Sequence, residues 1–139
     1  MARRRSGSGL RLILLVVLVL WLVGKAKAAS QVPFAAATLD EARIAELARE
    51  AGFPESAIAK AVAVARCESG FRARALGDGH LVDLTWGPSI GVWQIRSRHA
   101  DFGTGRPRDA SRLIDPAFNA RAAYAISAGG TDWSAWTCR

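Results

Sequence analysis

The chain has 139 residues, half of them apolar, with 19 Lys plus Arg against 12 Asp plus Glu, a formal charge of +7. At ~100–200 residues per domain this is one small domain, which excludes multidomain architectures and eightfold α/β barrels. Such a charge raises nucleic-acid binding first, because Lys and Arg neutralise phosphate, so its place in the chain matters.

Arg3, Arg4, Arg5 and Arg11 precede an unbroken apolar run of 12 residues, Leu12–Val23, and Gly24, Lys25 and Ala26-Lys27-Ala28 follow it. The run is shorter than the ~20 helical residues that cross a bilayer. A charged start, a short apolar middle and a small-x-small exit describe a secretory signal peptide over residues 1–28, touching the membrane only during export. An uncleaved anchor is the alternative, and either places the domain outside the cytoplasm. The six cations of this segment have no matching anion, so the other 111 residues carry 13 Lys plus Arg against 12 acids. Nucleic-acid binding thereby loses its support. Both cysteines, Cys67 and Cys138, remain in that part. In an oxidising compartment a bond between them is expected, worth about 4 kcal/mol of chain entropy, with two free buried thiols as the alternative.

Residues 29–37 read as a short linker with Pro33, and residues 38–139 as the domain. Thr38-Leu39-Asp40-Glu41 has the spacing of a capping box, so a first helix is expected from Thr38. Leu39, Ala42, Ile44, Leu47, Ala48 and Ala51 give it an apolar stripe, and Gly52 suits the left-handed position past its end. Pro54 fits the first turn of a second helix, whose buried face of Ile58, Ala61, Val62 and Ala65 leads to Arg66-Cys67-Glu68 and ends at Ser69-Gly70. Gly77-Asp78-Gly79 signals a turn, His80 to Trp86 is β-prone, and Gly87-Pro88-Ser89 reads as a break. Ile90 to Ile95 is expected as a brief helix or buried turn, and Asp101 to Arg112 as a polar loop. Asp115-Pro116 pairs an N-cap with a first-position Pro, opening a helix through Phe118, Ala122, Ala125 and Ile126 to Gly129-Gly130. Trp133 to Cys138 is an aromatic tail expected to pack around Cys138. The fold class is mainly α, in the α+β sense, with a small β/loop region.

His80 and His99 lack partners at ligand spacing, and no phosphate-binding glycine loop or Ser-His-Asp context is present, so no metal or cofactor is expected. Glu68 stands apart. At the C-terminal end of an apolar helix it meets the negative end of the dipole beside a buried face, and both favour the protonated form that a general acid needs. A solvated helix-end Glu is the competing reading.

Ala65-Arg66-Cys67-Glu68-Ser69-Gly70-Phe71, Gly91-Val92-Trp93-Gln94-Ile95, Asp115-Pro116 with Asn119 and Ala122, and the closing Trp133 and Trp136 together resemble the soluble lytic transglycosylase, or goose-type lysozyme-like, superfamily. The Cys directly before Glu68 and the closing Trp-x-x-Trp-x-Cys also resemble actinobacterial resuscitation-promoting factors. The resemblance runs from about Thr38 to the end. It implies a lysozyme-like helical domain with a β/loop region flanking a cleft, acting as a monomer on peptidoglycan glycan strands at the cell wall without a cofactor.

By the same resemblance Glu68 protonates the oxygen between N-acetylmuramic acid and N-acetylglucosamine, then acts as base on the C6 hydroxyl, leaving a 1,6-anhydro end. Gln94 is the family's cleft glutamine, binding sugar amides. Ser69 either binds substrate or caps the helix, and Trp93 and Trp86 are cleft aromatics or core. Tyr124 falls near the family's cleft tyrosine, although Ala125-Ile126-Ser127 depart from its motif, and Asn119 reads as structural. A hydrolytic muramidase would need a second carboxylate, for which Asp78, Asp83 and Asp101 are candidates, with Asp83 preferred. A chitin-active enzyme and a non-catalytic wall-binding domain are the other readings.

Overall fold

The structure is a computed structural model and describes residues 38–139. The expected signal segment and linker lie outside the described residues. Helix α1 (Glu41–Ala51) is capped by Asp40, whose carboxylate accepts from the Arg43 N–H at 2.7 Å. The expected capping box at Thr38 is therefore corrected. Thr38 instead forms an antiparallel bridge with Arg72, and the Leu39 N–H donates to Phe71 O at 3.0 Å. Glu41, freed from reaching back, pairs with Arg66 on the next helix. Gly52 ends α1 at φ +103°, donating its N–H to Ala48 O and Arg49 O.

Helix α2 (Glu55–Ser69) has Pro54 at its N-cap rather than in its first turn, and Gly70 closes it in the left-handed region. Helix α3 (Pro116–Ile126) is capped by Asp115, which accepts from the Ala117 N–H at 2.9 Å. It stops at Ser127, before the expected Gly129-Gly130. Among the described residues no helix is long and apolar enough to cross a membrane.

Between α2 and α3 lies an antiparallel sheet of β1 (Leu76–Gly77), β2 (Trp86–Ile90) and β3 (Ile95–Arg98), in the order β1-β2-β3. The β-prone stretch from His80 is corrected: Gly79–Leu81 is a 3-10 turn, and the strand starts only at Trp86. It then runs through Gly87-Pro88-Ser89, where a break was expected. Proline has no N–H for a ladder and is confined to edges or bulges. Here it sits in a bulge, because Trp86 pairs with Arg98 but Ser89 pairs with Arg96, giving β2 one extra residue. Ser97 Oγ donates to Pro88 O at 2.9 Å, and a Cβ on Gly87 would lie 2.4 Å from that hydroxyl.

Helix α1 packs on α2 and α3. The core joins Ile44 and Leu47 of α1, Ile58, Ala61 and Ala65 of α2, and Phe118 and Ala122 of α3, with Val92, Trp93, Ile95, Leu113, Trp133 and Trp136. Ala42, expected in the α1 stripe, is exposed. The Gly91–Gln94 turn between β2 and β3 is buried against α3 by one carboxamide. Asn119, fully buried, accepts from the Trp93 N–H at 2.8 Å and donates to Ile90 O and Leu113 O at 2.8 and 2.9 Å. Gly91 is required beside it: at φ +83° a Cβ would lie 2.6 Å from Leu113 O and 2.5 Å from Asn119 Nδ2.

Asp109 organises the following loop in the same manner. Fully buried, it accepts from the Ser111 hydroxyl at 2.7 Å and from the backbone N–H groups of Gly103, Gly105 and Ser111. The Ser111 hydroxyl foremost, with those N–H groups, holds its pKa down to about 2 against the effect of burial.

Two outcomes follow from these buried anchors. Asn119→Ala strands one N–H and two carbonyls and is expected to lower unfolding free energy by about 2–4 kcal/mol, measured by urea denaturation. Asp109 has a depressed folded-state pKa, so its stabilisation is complete above the ordinary carboxylate value of ~4 and fades as pH falls through about 2. Wild type should therefore exceed Asp109→Asn in melting temperature at pH 6, and the gap should close toward pH 2.

Candidate active site

Glu68 lies one residue before the end of α2, half-buried, and lines a polar cleft of about 200 Å³. The chain's C-terminal segment closes over this point. Cys67 and Cys138 form a disulfide, with Cα atoms 5.8 Å apart and a sequence separation of 71. The Cys138 N–H donates to Glu68 Oε1 at 3.1 Å. A covalent tie on one residue and a hydrogen bond on its neighbour thus orient the carboxylate, leaving Oε2 for other partners.

Gln94 lines the same cleft. It follows the turn held by Asn119 and adopts φ +45°, uncommon for a residue other than glycine. Its Nε2 donates to Ala75 O at 3.1 Å and to Gly91 O at 2.9 Å, which fixes the carboxamide and leaves Oε1 as an acceptor. Oε1 fits only because residue 77 is glycine, since a Cβ there would lie 2.4 Å away. An acceptor held in this way suits a donor such as the N–H of a sugar acetamido group.

Five of the other residues singled out from sequence lie elsewhere. Ser69 is buried and donates its hydroxyl to Ala65 O at 3.2 Å, within its own helix. Trp93 has no exposed surface, and its indole N–H reaches Ala61 O at 2.9 Å, so it pins the turn to α2 from within the core. Tyr124 packs edge-on against Phe53, centroids 5.2 Å apart, near Gly52 and Gly129. Asp83 is exposed and accepts from the Thr85 and Trp86 N–H groups, both at 2.7 Å; these bonds hold its carboxyl below the usual range. Asp101 is buried, 3.8 Å from Arg106.

The carboxylate that shares the cleft with Glu68 is Asp78, which accepts from the Ser89 hydroxyl. Its left-handed φ of +55° is the turn expected between two glycines, and the same turn delivers the side chain to the cleft. Ser89, Arg96, Arg108 and Thr137, which the sequence reading does not single out, and Trp136, expected only to pack around Cys138, complete most of the lining. One sequence signal could have found Arg96: Ile95-Arg96-Ser97-Arg98 alternates apolar or small with charged residues, the two-residue period of a half-buried strand. Among the described residues no three His, Cys, Asp or Glu side chains converge as metal ligands.

A family model described as a lysozyme like domain matches residues 45–138, which include every cleft residue named above. No curated protein and no solved structure matches the chain.

The disulfide makes a direct test of this arrangement. Reduction, or Cys67→Ser with Cys138→Ser, is expected to cost about 2–5 kcal/mol of stability. Hydrogen exchange at the Cys138 amide should quicken as the bond to Glu68 loosens. An unchanged melting curve under reductant contradicts the proposed role of the tie.

Proposed function

Because this chain belongs to the lysozyme-like domain family, we propose that it cleaves the β-1,4 bond between N-acetylmuramic acid and N-acetylglucosamine in peptidoglycan, with Glu68 as acid and then base. The observation that carries this reading is the seating of Glu68. One oxygen is held by the Cys138 N–H, in a cleft that also presents the fixed Gln94 acceptor. The disulfide and the signal-like first 28 residues support an extracytoplasmic place of action. The Cys67-Glu68 pair and the Trp-x-x-Trp-x-Cys ending favour a relation to resuscitation-promoting-factor-like domains within that family.

In the first step the Glu68 proton passes to the glycosidic oxygen as the C1–O bond breaks, and the N-acetylglucosamine side leaves as an alcohol. In the second, the muramyl C6 hydroxyl closes on C1 and gives its proton to the Glu68 carboxylate, restoring the acid. No water is consumed, and the product is a 1,6-anhydro end. The attacking hydroxyl belongs to the sugar being cleaved, so proximity replaces a protein nucleophile and one carboxylate serves both steps.

A second reading is hydrolysis, and the presence of Asp78 in the cleft favours it. With one oxygen held by Ser89, the other is open to orient a water toward C1, as in glycosidases that use two carboxylates.

Glu68→Gln keeps an acceptor for the Cys138 N–H but removes the proton, and should cut release of soluble fragments from purified cell wall by ~100- to 10,000-fold. Retained release contradicts the reading. Asp78→Asn separates the two outcomes: under transglycosylation release persists within ~10-fold, whereas under hydrolysis it falls as steeply as with Glu68→Gln.

A further inference from the structure

Two guanidinium groups share the cleft with Glu68, and of the two only Arg96 has a carboxylate within ion-pair distance among the described residues. Arg96 and Arg108 flank the Trp86 ring, their Cζ atoms 5.5 and 5.1 Å from its centroid. Arg108 donates one N–H to Arg96 O at 2.8 Å, and Arg96 donates one to Leu81 O. Each guanidinium is thus fixed through a single bond to backbone, with the remainder of its fork unspent. Arg96 Nε is buried and has no hydrogen-bond partner.

Nearby carboxylates neutralise the pair only in part. Asp83 makes a long, largely exposed ion pair with Arg96, its Oδ2 3.9 Å from the guanidinium, while its Oδ1 accepts from the Thr85 and Trp86 N–H groups. Asp101 acts on Arg108 only through space and sits closer to Arg106. Burial, then Arg96 and Arg98, make the Arg108 charge less favourable than in water, with Asp101 offsetting part of this. Two like charges held side by side in a half-dry wall are costly unless an anion completes them. A planar fork with open donors matches a carboxylate.

We propose that Arg96 and Arg108 form an anion subsite in the Glu68 cleft that takes a carboxylate carried by the muramyl lactyl-peptide substituent. This selects acidic peptidoglycan strands over neutral chitin-like chains. The inference rests on the proposed function for the identity of the sugar chain. It adds a specificity element that neither Glu68 nor Gln94 supplies, because an acetamido group is common to both kinds of strand. The carboxylate can come from the stem peptide or, in strands stripped of stems, from the lactyl group itself.

The test is a fluorescence titration of Glu68→Gln protein, which binds without turnover, with soluble peptidoglycan tetrasaccharides. These are used with stems, with stems removed by an amidase, and with all carboxyl groups amidated. At least one carboxylate-bearing fragment is expected to bind ~10-fold more tightly than its amidated form, the value of one charge-assisted contact. The preference should vanish on adding Arg96→Gln or Arg108→Gln and persist largely in Arg108→Lys. Preference for the stem-bearing form alone assigns the peptide as the source, and equal preference for the stripped form assigns the lactyl group. Equal binding of charged and amidated fragments, or a preference that survives both Gln variants, overturns the subsite. Should a Gln variant fail to fold, the charged-to-amidated comparison on the parent protein decides alone. Wild-type release from cell wall is scored separately: fragments bound with preference but no release leaves the subsite and removes the reaction. Release without any such preference does the reverse, and neither binding nor release removes both.

Discussion

The Asn119 carboxamide is the constraint on which the functional half of the molecule depends. Its three hydrogen bonds reach Trp93 N, Ile90 O and Leu113 O, so one side chain on α3 ties down the β2–β3 turn and the segment leading into α3. A buried amide satisfied on both ends defines one geometry, because any shift leaves a donor or acceptor unpaired in a dry environment. The consequences pass along the turn. Gly91 provides the close approach, Trp93 is driven into the core against Ala61, and Gln94, next in the chain, is turned back toward the cleft. The indole of Trp136 donates to Trp93 O at 2.6 Å, so the same turn also seats the C-terminal segment.

That segment carries the second half of the site. Trp133 stacks on Phe53 and tilts against Trp136, and the disulfide follows two residues later. The Cys138 amide therefore arrives at Glu68 from an anchored strip of chain. The end of α2, the β2–β3 turn and the C-terminal segment converge on one cleft although they are far apart in sequence. In a domain this small a covalent tie complements a modest core.

What was legible in the sequence was what local chemistry decides. Gly52, Gly70 and Asp115 mark helix ends because their conformational or capping roles need only near neighbours. The cysteines were legible from compartment, and Glu68 and Gln94 from motif. The sheet was not, because β2 carries Gly87-Pro88, which reads as a turn until the bulge opposite Arg96 and Arg98 is known. Thr38 misled for a related reason: its pairing with Arg72 lies outside any local window. Long-range packing also determines which of Asp83 and Asp78 lines the cleft. Asp83 satisfies its own loop, while Asp78 is carried into the cleft by a turn whose spacing alone pointed only to a turn. Trp93 and Tyr124, aromatic residues near family motifs, serve the core.

The proposed reaction, in which a single acid returns as base and the sugar supplies the nucleophile, fits a small domain that holds one carboxylate in place. The presence of Asp78 makes the fate of water the decisive point. Digestion of purified cell wall by the wild-type protein in ¹⁸O-labelled water, followed by mass spectrometry of the soluble fragments, addresses it directly. The account predicts muramyl ends lighter by one water and free of label. Ends at the full hydrated mass carrying ¹⁸O contradict it.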